Sequence, residues 1–444
     1  MLFAQRMMAV PTETSVLRSD RLKEEIVSAK VDGLRVFVMP KRGFKRKYAE
    51  MFVHYGSNDN AFIPPGGQRV EVPPGIAHFL EHKMFEKEWG EAFSRFASVG
   101  ASANAFTTNN YTSYLFWTLD RWQEALEMLF EVAFTPYFTP ETVAKERDII
   151  GQEIRMYNDE PASRLMRETL QALYFDHPVR VDVAGTEESI KAIDQDLLYL
   201  CHRTFYCPGN MSLFVAGDLE PAAVFESAGR LVGRFARGCE GVPERLRPEE
   251  PVLVGKDSEV RLPVPVPMLQ VAWKDIPPGE GGVKLVRQEL SGSALLDVLF
   301  GRSSDFFSQA YEEGLVDDMS ASYEAWPDYA FAVVEAQTTR PEELAARIQE
   351  QVETTRVNGV APEDFARVKQ ASVGRFVTLF DSLDTVAEMQ AHLHDAGLDI
   401  FAYGGILEDL KLEEVNRKLG CLSSDRSVRV IVRDGPDRRG PRRG

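Results

Sequence analysis

Two long amphipathic segments of this chain open in the same way, half a chain apart. Pro140-Glu141-Thr142-Val143-Ala144-Lys145 has a counterpart 222 residues later in Pro362-Glu363-Asp364-Phe365-Ala366-Arg367. Proline and acids are common at any helix start, so this match alone also fits two ordinary N-termini. The order of elements around each segment is similar as well, which points to duplication. At 444 residues the chain is too long for one ordinary core, and it suits two domains of about 200 residues.

Alternation in Ile26–Val31 and Leu34–Met39 around Asp32-Gly33 predicts a hairpin. A third strand is expected near Tyr48–Tyr55. Pro73-Pro74-Gly75 then punctuates a helix over Ile76–Phe85. Strands are expected at Ala101–Phe106, Ser113–Leu119 and Ser212–Val215. Helices are expected at Glu91–Val99, Arg121–Phe134, Pro140–Met156, Arg164–Tyr174 and Ala222–Phe235. Gly238–Pro251 is rich in Pro, Gly and charge without periodicity, the signature of a linker. Strands at Glu259–Val264 and Met268–Trp273 and a helix at Val286–Phe300 then begin the second half. Strands and helices mix without regular βαβ alternation, so the expected class is α+β, with mainly antiparallel sheets. The domains are set at 1–237, a linker at 238–256, a related domain at 257–433 and a disordered basic tail at 434–444.

The net charge of −17 argues against a nucleic-acid duplex as partner. Four cysteines without a CxxC pair read as reduced thiols. Met1–Met8 lacks the pattern of a signal peptide, and no stretch reaches the roughly 18 apolar residues of a membrane span, so a cytoplasmic protein is expected. No nucleotide-binding glycine motif is present.

The residues that carry chemistry are His78-Phe79-Leu80-Glu81-His82. On a helix the two histidines lie one turn apart on one face, able to share one tetrahedral zinc, and Glu81 lies beside that face. This is H-x-x-E-H, the inverted zincin signature, in which the carboxylate takes a proton from a water that zinc has acidified. With seven histidines in the chain, chance rarely produces it. A third protein ligand is required. Glu146 and Glu153, two helical turns apart, are both candidates by chemistry, the other then orienting a histidine. His54, His177, His202, His392 and His394 are isolated and read as structural or surface residues.

These segments resemble the pitrilysin family, which includes insulin-degrading enzyme and the mitochondrial processing peptidases. The resemblance runs from His78–His82 through Gly100-Ala101-Ser102-Ala103-Asn104-Ala105-Phe106-Thr107 and Tyr114 to Glu146–Ile154. It implies that Glu153 is the third ligand and Glu146 the supporting acid, with one Zn2+ per chain. It implies two related domains per chain, closing as a clam-shell dimer. It also implies that an extended peptide adds to an edge strand, here at Ala103, Asn104, Ala105 and Phe106.

The family's active site further uses an Arg and a Tyr seven residues later, from the second domain type. Here Tyr311 and Asp318 stand at those places, Arg302 and Tyr323 are at the wrong spacing, and Arg375 stands opposite Glu153 under the 222-residue offset. The resemblance therefore implies a zinc endopeptidase of short or unfolded peptides whose related, zinc-less partner chain supplies the pair. A homodimer is the less favoured arrangement. The competing expectation is a non-catalytic scaffold of the same fold.

Overall fold

A computed structural model describes residues 14–236, 241–248, 250–251, 254–277, 279 and 281–435. The expected basic tail from residue 436 onward, the expected linker at 238–240, 249 and 252–253, and the last residue of the expected first domain, 237, lie outside the described residues.

The first unit is built on a seven-stranded sheet. Its strands are β1 (Thr14–Ser19), β2 (Glu24–Val31), β3 (Leu34–Pro40), β4 (Lys47–Val53), β5 (Ala101–Thr107), β6 (Thr112–Thr118) and β7 (Met211–Gly217), in the order β1-β2-β3-β7-β4-β6-β5. The β2–β3 hairpin turns at Asp32 and Gly33, both with positive φ, as the Asp-Gly signal requires. The helices in this half of the chain are α1 (Ile76–Met84), α2 (Ala92–Ser98), α3 (Trp122–Phe134), α4 (Pro140–Asp159), α5 (Pro161–Leu173), α6 (Gln195–Phe205) and α7 (Pro221–Phe235). One large core joins Val36, Val38, Met51 and Leu213 of the sheet to Phe79 and Leu80 of α1, Leu126 of α3, Ile150 of α4 and Leu231 of α7.

The second unit has a five-stranded sheet: β8 (Ser258–Arg261), β9 (Met268–Asp275), β10 (Met319–Ala325), β11 (Ala330–Gln337) and β12 (Ser427–Arg433), ordered β8-β12-β9-β11-β10. β8 stops short of the expected Val264 because Pro263 has no N–H to give the ladder. The helices in this half of the chain are α8 (Gly282–Phe300), α9 (Asp305–Glu312), α10 (Pro341–Asn358), α11 (Pro362–Leu379), α12 (Leu383–Asp395), α13 (Ile400–Asp409) and α14 (Leu412–Lys418).

The two sheets share a plan. In the first, β3-β7-β4-β6-β5 has one parallel pair, β3 with β7, followed by antiparallel pairs. In the second, β8-β12-β9-β11-β10 repeats this, with β8 and β12 parallel. The matching helix starts at Pro140 and Pro362 head α4 and α11, each of which follows the helix after the hairpin at the sheet's end, β5–β6 in the first sheet and β10–β11 in the second. This is a two-domain α+β architecture of related halves.

The chain does not divide at one cut. The first compact unit comprises residues 1–154, 182–246 and 381–391, and the second 155–181, 247–380 and 392–444. The chain leaves the first unit within α4. The next helix, α5, places Leu165 and Leu173 against Val260, Ala272 and Val430 of the second sheet. A single boundary at residue 237 does not capture this excursion, because it is set by which core the apolar face of α5 finds. Among the described residues no helix is long and apolar enough to cross a membrane. Cys201, Cys207 and Cys421 are buried thiols.

Candidate metal centre

The start of α1 is clamped by backbone. Gly75, its N-cap, has φ +90, and a Cβ there would meet Ala184 O at 2.5 Å. From the same segment Ser189 Oγ donates to Pro74 O at 2.8 Å. The apolar residues Ile76, Phe79 and Leu80 are buried in the core, so the helix is fixed in rotation as well as at its end. α4 is held against the same segment by Arg147, whose guanidinium donates to Ile190 O (3.2 Å) and Ile193 O (2.8 Å).

That packing aims α1 at α4. Ligand atoms of His78, His82 and Glu153 all lie within 4.8 Å of one another. His78 Nε2 is 3.7 Å from Glu153 Oε1, and His82 Nε2 is 3.5 Å from Glu153 Oε2. Donors around a tetrahedral zinc with bonds of about 2.1 Å stand about 3.4 Å apart, so the spacing and the two-imidazole, one-carboxylate donor set fit that ion. On its far side His82 donates from Nδ1 to Glu146 Oε1 at 3.0 Å, which turns its Nε2 lone pair toward Glu153. The two acids left open by chemistry thus occupy different places: Glu153 faces both imidazoles, and Glu146 holds one of them.

The electrostatics suit ligation. Burial, and then the neighbouring His82, push the His78 pKa down to about 3, so its ring stays neutral with a lone pair available. Burial opposes charge on His82 too, but the hydrogen bond it donates to Glu146 and the charges of Glu81, Glu146 and Glu153 outweigh it and raise its pKa. Glu81 is buried beside the pair. Desolvation pushes its carboxyl up to about 7, against the opposing pull of His82 and a hydrogen bond from Thr107. A carboxyl in that range can both accept and return a proton near neutrality.

Ala103, Asn104, Ala105 and Phe106 lie on β5, the terminal strand of the first sheet. Among the described residues β5 pairs only with β6, through Ala105↔Tyr114 and Phe106↔Ser113, and no strand lies on its outer edge. Asn104 is exposed, while Phe106 packs edge-on against Tyr111. The sequence reading gave no role to Thr107, which donates to Glu81 Oε2 at 3.1 Å, or to Tyr206, whose hydroxyl meets that of Tyr114 at 2.7 Å. Burial raises both phenols and keeps them neutral near Glu81. Nothing in the local sequence marks Tyr206, which comes from the end of α6.

Residues 66–187 match the family model described as insulinase (peptidase family M16), and residues 192–372 match the one described as peptidase M16 inactive domain. The Bacillus subtilis (strain 168) protein named uncharacterized zinc protease YmfH is 38% identical over 401 residues, covering 89% of this chain and 93% of that protein. This chain belongs to the M16 peptidase family. A solved M16-like peptidase from Alicyclobacillus acidocaldarius superimposes with a TM-score of 0.89 at 35% identity, over 94% of this chain and 100% of that one. The chloroplastic stromal processing peptidase of Arabidopsis thaliana is 30% identical over 199 residues, 43% of this chain and 15% of its own length. A protease from Helicobacter pylori shares the fold at 20% identity, with a TM-score of 0.75 over 95% of this chain and 100% of its own.

The inactive-domain match falls where the metal motif has no copy. In the second unit Arg375 donates to Asp297, and Tyr311 is exposed on α9. Asp318 pairs at the surface with Arg302, 2.9 Å away. Tyr323 is buried, donating to Asp275 and accepting from Gln288 at 2.9 Å. The histidines read as structural include His202, whose Nε2 donates to Ala133 O at 3.0 Å.

Proposed function

We propose that this chain is a zinc-dependent endopeptidase acting on short or unfolded peptides, and the metal-bearing subunit of a heterodimer. The observation that carries the reading is the meeting of His78, His82 and Glu153 on one point, with Glu81 alongside. His78, His82 and Glu153 would hold the ion. Zinc with three protein ligands and an open position supplies an acidified water and a polarised carbonyl. Glu81 takes the proton of the attacking water and passes it to the leaving amine. Glu146 fixes the tautomer and orientation of His82. The backbone of Ala103, Asn104, Ala105 and Phe106 on the open edge of β5 pairs with the extended peptide and sets the scissile bond before the base.

The half spanning 1–237 carries this chemistry, and the half spanning 257–433 carries none of it. A related chain without zinc supplies the Arg and Tyr that Tyr311 and Asp318 replace here, and the two chains close on each other around the peptide. The scaffold alternative is favoured only by the metal-free second half, and a scaffold has no use for four converging metal-site residues. Co-purification from the native cell with metal analysis, followed by peptide hydrolysis with and without the co-purified chain, tests the reading. One zinc per chain and hydrolysis that needs the second chain are expected. A zinc-loaded complex that cleaves no peptide would sink it in favour of the scaffold.

A further inference from the structure

A helix fixes the backbone of Glu81, but not the plane of its carboxylate, since the last side-chain torsion of glutamate is broad. Among the described residues one hydrogen bond reaches that carboxylate, from Thr107 Oγ1 to Oε2 at 3.1 Å. Thr107 is the last residue of β5, the strand whose open edge lies beside the site. Its own position is set from behind. Thr112 faces it directly across the β5–β6 hairpin, with the two hydroxyl oxygens 3.4 Å apart. The Thr112 hydroxyl in turn donates to Tyr55 O at 2.9 Å, and Tyr55 is fully buried. The chain of contacts therefore runs from the core, through two threonines, to one oxygen of Glu81, and among the described residues no protein donor reaches the other oxygen.

We propose that Thr107 is a positioning residue for the peptidase reaction: its hydroxyl fixes the Glu81 carboxylate with Oε1 free for the attacking water, and ties that orientation to the strand that holds the peptide. This rests on Glu81 being the base. The geometry predicts that peptide seated along β5 and base alignment are coupled through one side chain, so that losing the hydroxyl costs turnover rather than peptide affinity.

The test uses the zinc-loaded chain with its co-purified partner and compares wild type, Thr107→Val, Thr107→Ser and Glu81→Gln. Thr107→Val keeps the shape and removes the donor. It is expected to lower kcat about 10- to 100-fold with KM within about twofold, and to keep one zinc and the wild-type melting temperature. Thr107→Ser restores kcat to within a few fold. Calorimetric binding of a peptide carrying a phosphinate in place of the scissile amide is expected to weaken about tenfold in Thr107→Val, and no further when Glu81→Gln is added. Wild-type kcat and phosphinate affinity in Thr107→Val, with Glu81→Gln inactive, would overturn the role of Thr107 alone. Full activity in Glu81→Gln would overturn the reading of the base, and this proposal with it. A Thr107→Ser variant as slow as Thr107→Val would also reject it, because a packing defect and not the hydroxyl would then be at fault.

Discussion

Glu146 and Glu153 sit on the same helix and treat His82 from opposite sides: Glu146 accepts from its Nδ1 at 3.0 Å, while Glu153 faces its Nε2 at 3.5 Å. The two carboxylates make different contacts with one imidazole, and on the proposed reading different losses are expected from removing each.

Glu146→Gln keeps the shape but cannot hold the imidazole tautomer as a charged acceptor does. Zinc affinity, read by competition with a chromogenic chelator, should fall about 10- to 100-fold with the melting temperature of the metal-free protein little changed. Glu153→Gln should lose stoichiometric zinc altogether. Equal effects from the two substitutions would contradict the division of roles.

Glu81→Gln removes the group that moves the proton and none that holds the ion. Zinc content measured by atomic emission should stay at one per chain, and hydrolysis should drop by at least about 100-fold. A variant that loses its metal instead would place Glu81 among the ligands.

Gly75→Ala puts a methyl into the carbonyl of Ala184 at a φ of +90, so the segment before α1 must move. The strain costs about 1–3 kcal/mol. The melting temperature should fall by about 5 °C, and zinc affinity should fall with it, because α1 carries both histidines. A variant with unchanged melting and metal affinity would show that the clamp does not position the helix.

Glu50 lies on β4, fully buried, accepting from Tyr48 and Ser113. Desolvation pushes its pKa up to about 8, against those hydrogen bonds, with Glu388 and Asp384 adding to the rise. Below about 4.5 the group is protonated both folded and unfolded. Between 4.5 and 8 the folded chain binds a proton that the unfolded chain does not, so its contribution to stability falls as pH rises and levels off above 8. Glu50→Gln should therefore be more stable than wild type at pH 9 by a few kcal/mol, and near parity at pH 4.5. Melting curves across that range check the sign. A gap that widens toward acid would refute it.

Much of the site was legible in the chain. His78, Glu81 and His82 declare themselves because a helix turns four residues into one face, and that period depends on nothing distant. The Asp32-Gly33 hairpin, the strand expected at Ala101–Phe106 and the helix beginning at Pro140 were readable for the same reason: each is governed by local alternation, turn chemistry or helical spacing. The paired helix starts at Pro140 and Pro362 already hinted at two copies. What local pattern could not supply was the choice between Glu146 and Glu153, which are equivalent by type and spacing and differ only in where α1 crosses α4. Thr107 and Tyr206 are likewise ordinary in sequence and become part of the site through strand and helix packing. The same holds for α5, whose apolar face is plain in the sequence but whose destination, the second sheet, is decided by which buried surface it completes. Short-range geometry is written along the chain, whereas long-range partnership is settled by burial, and burial depends on every element at once.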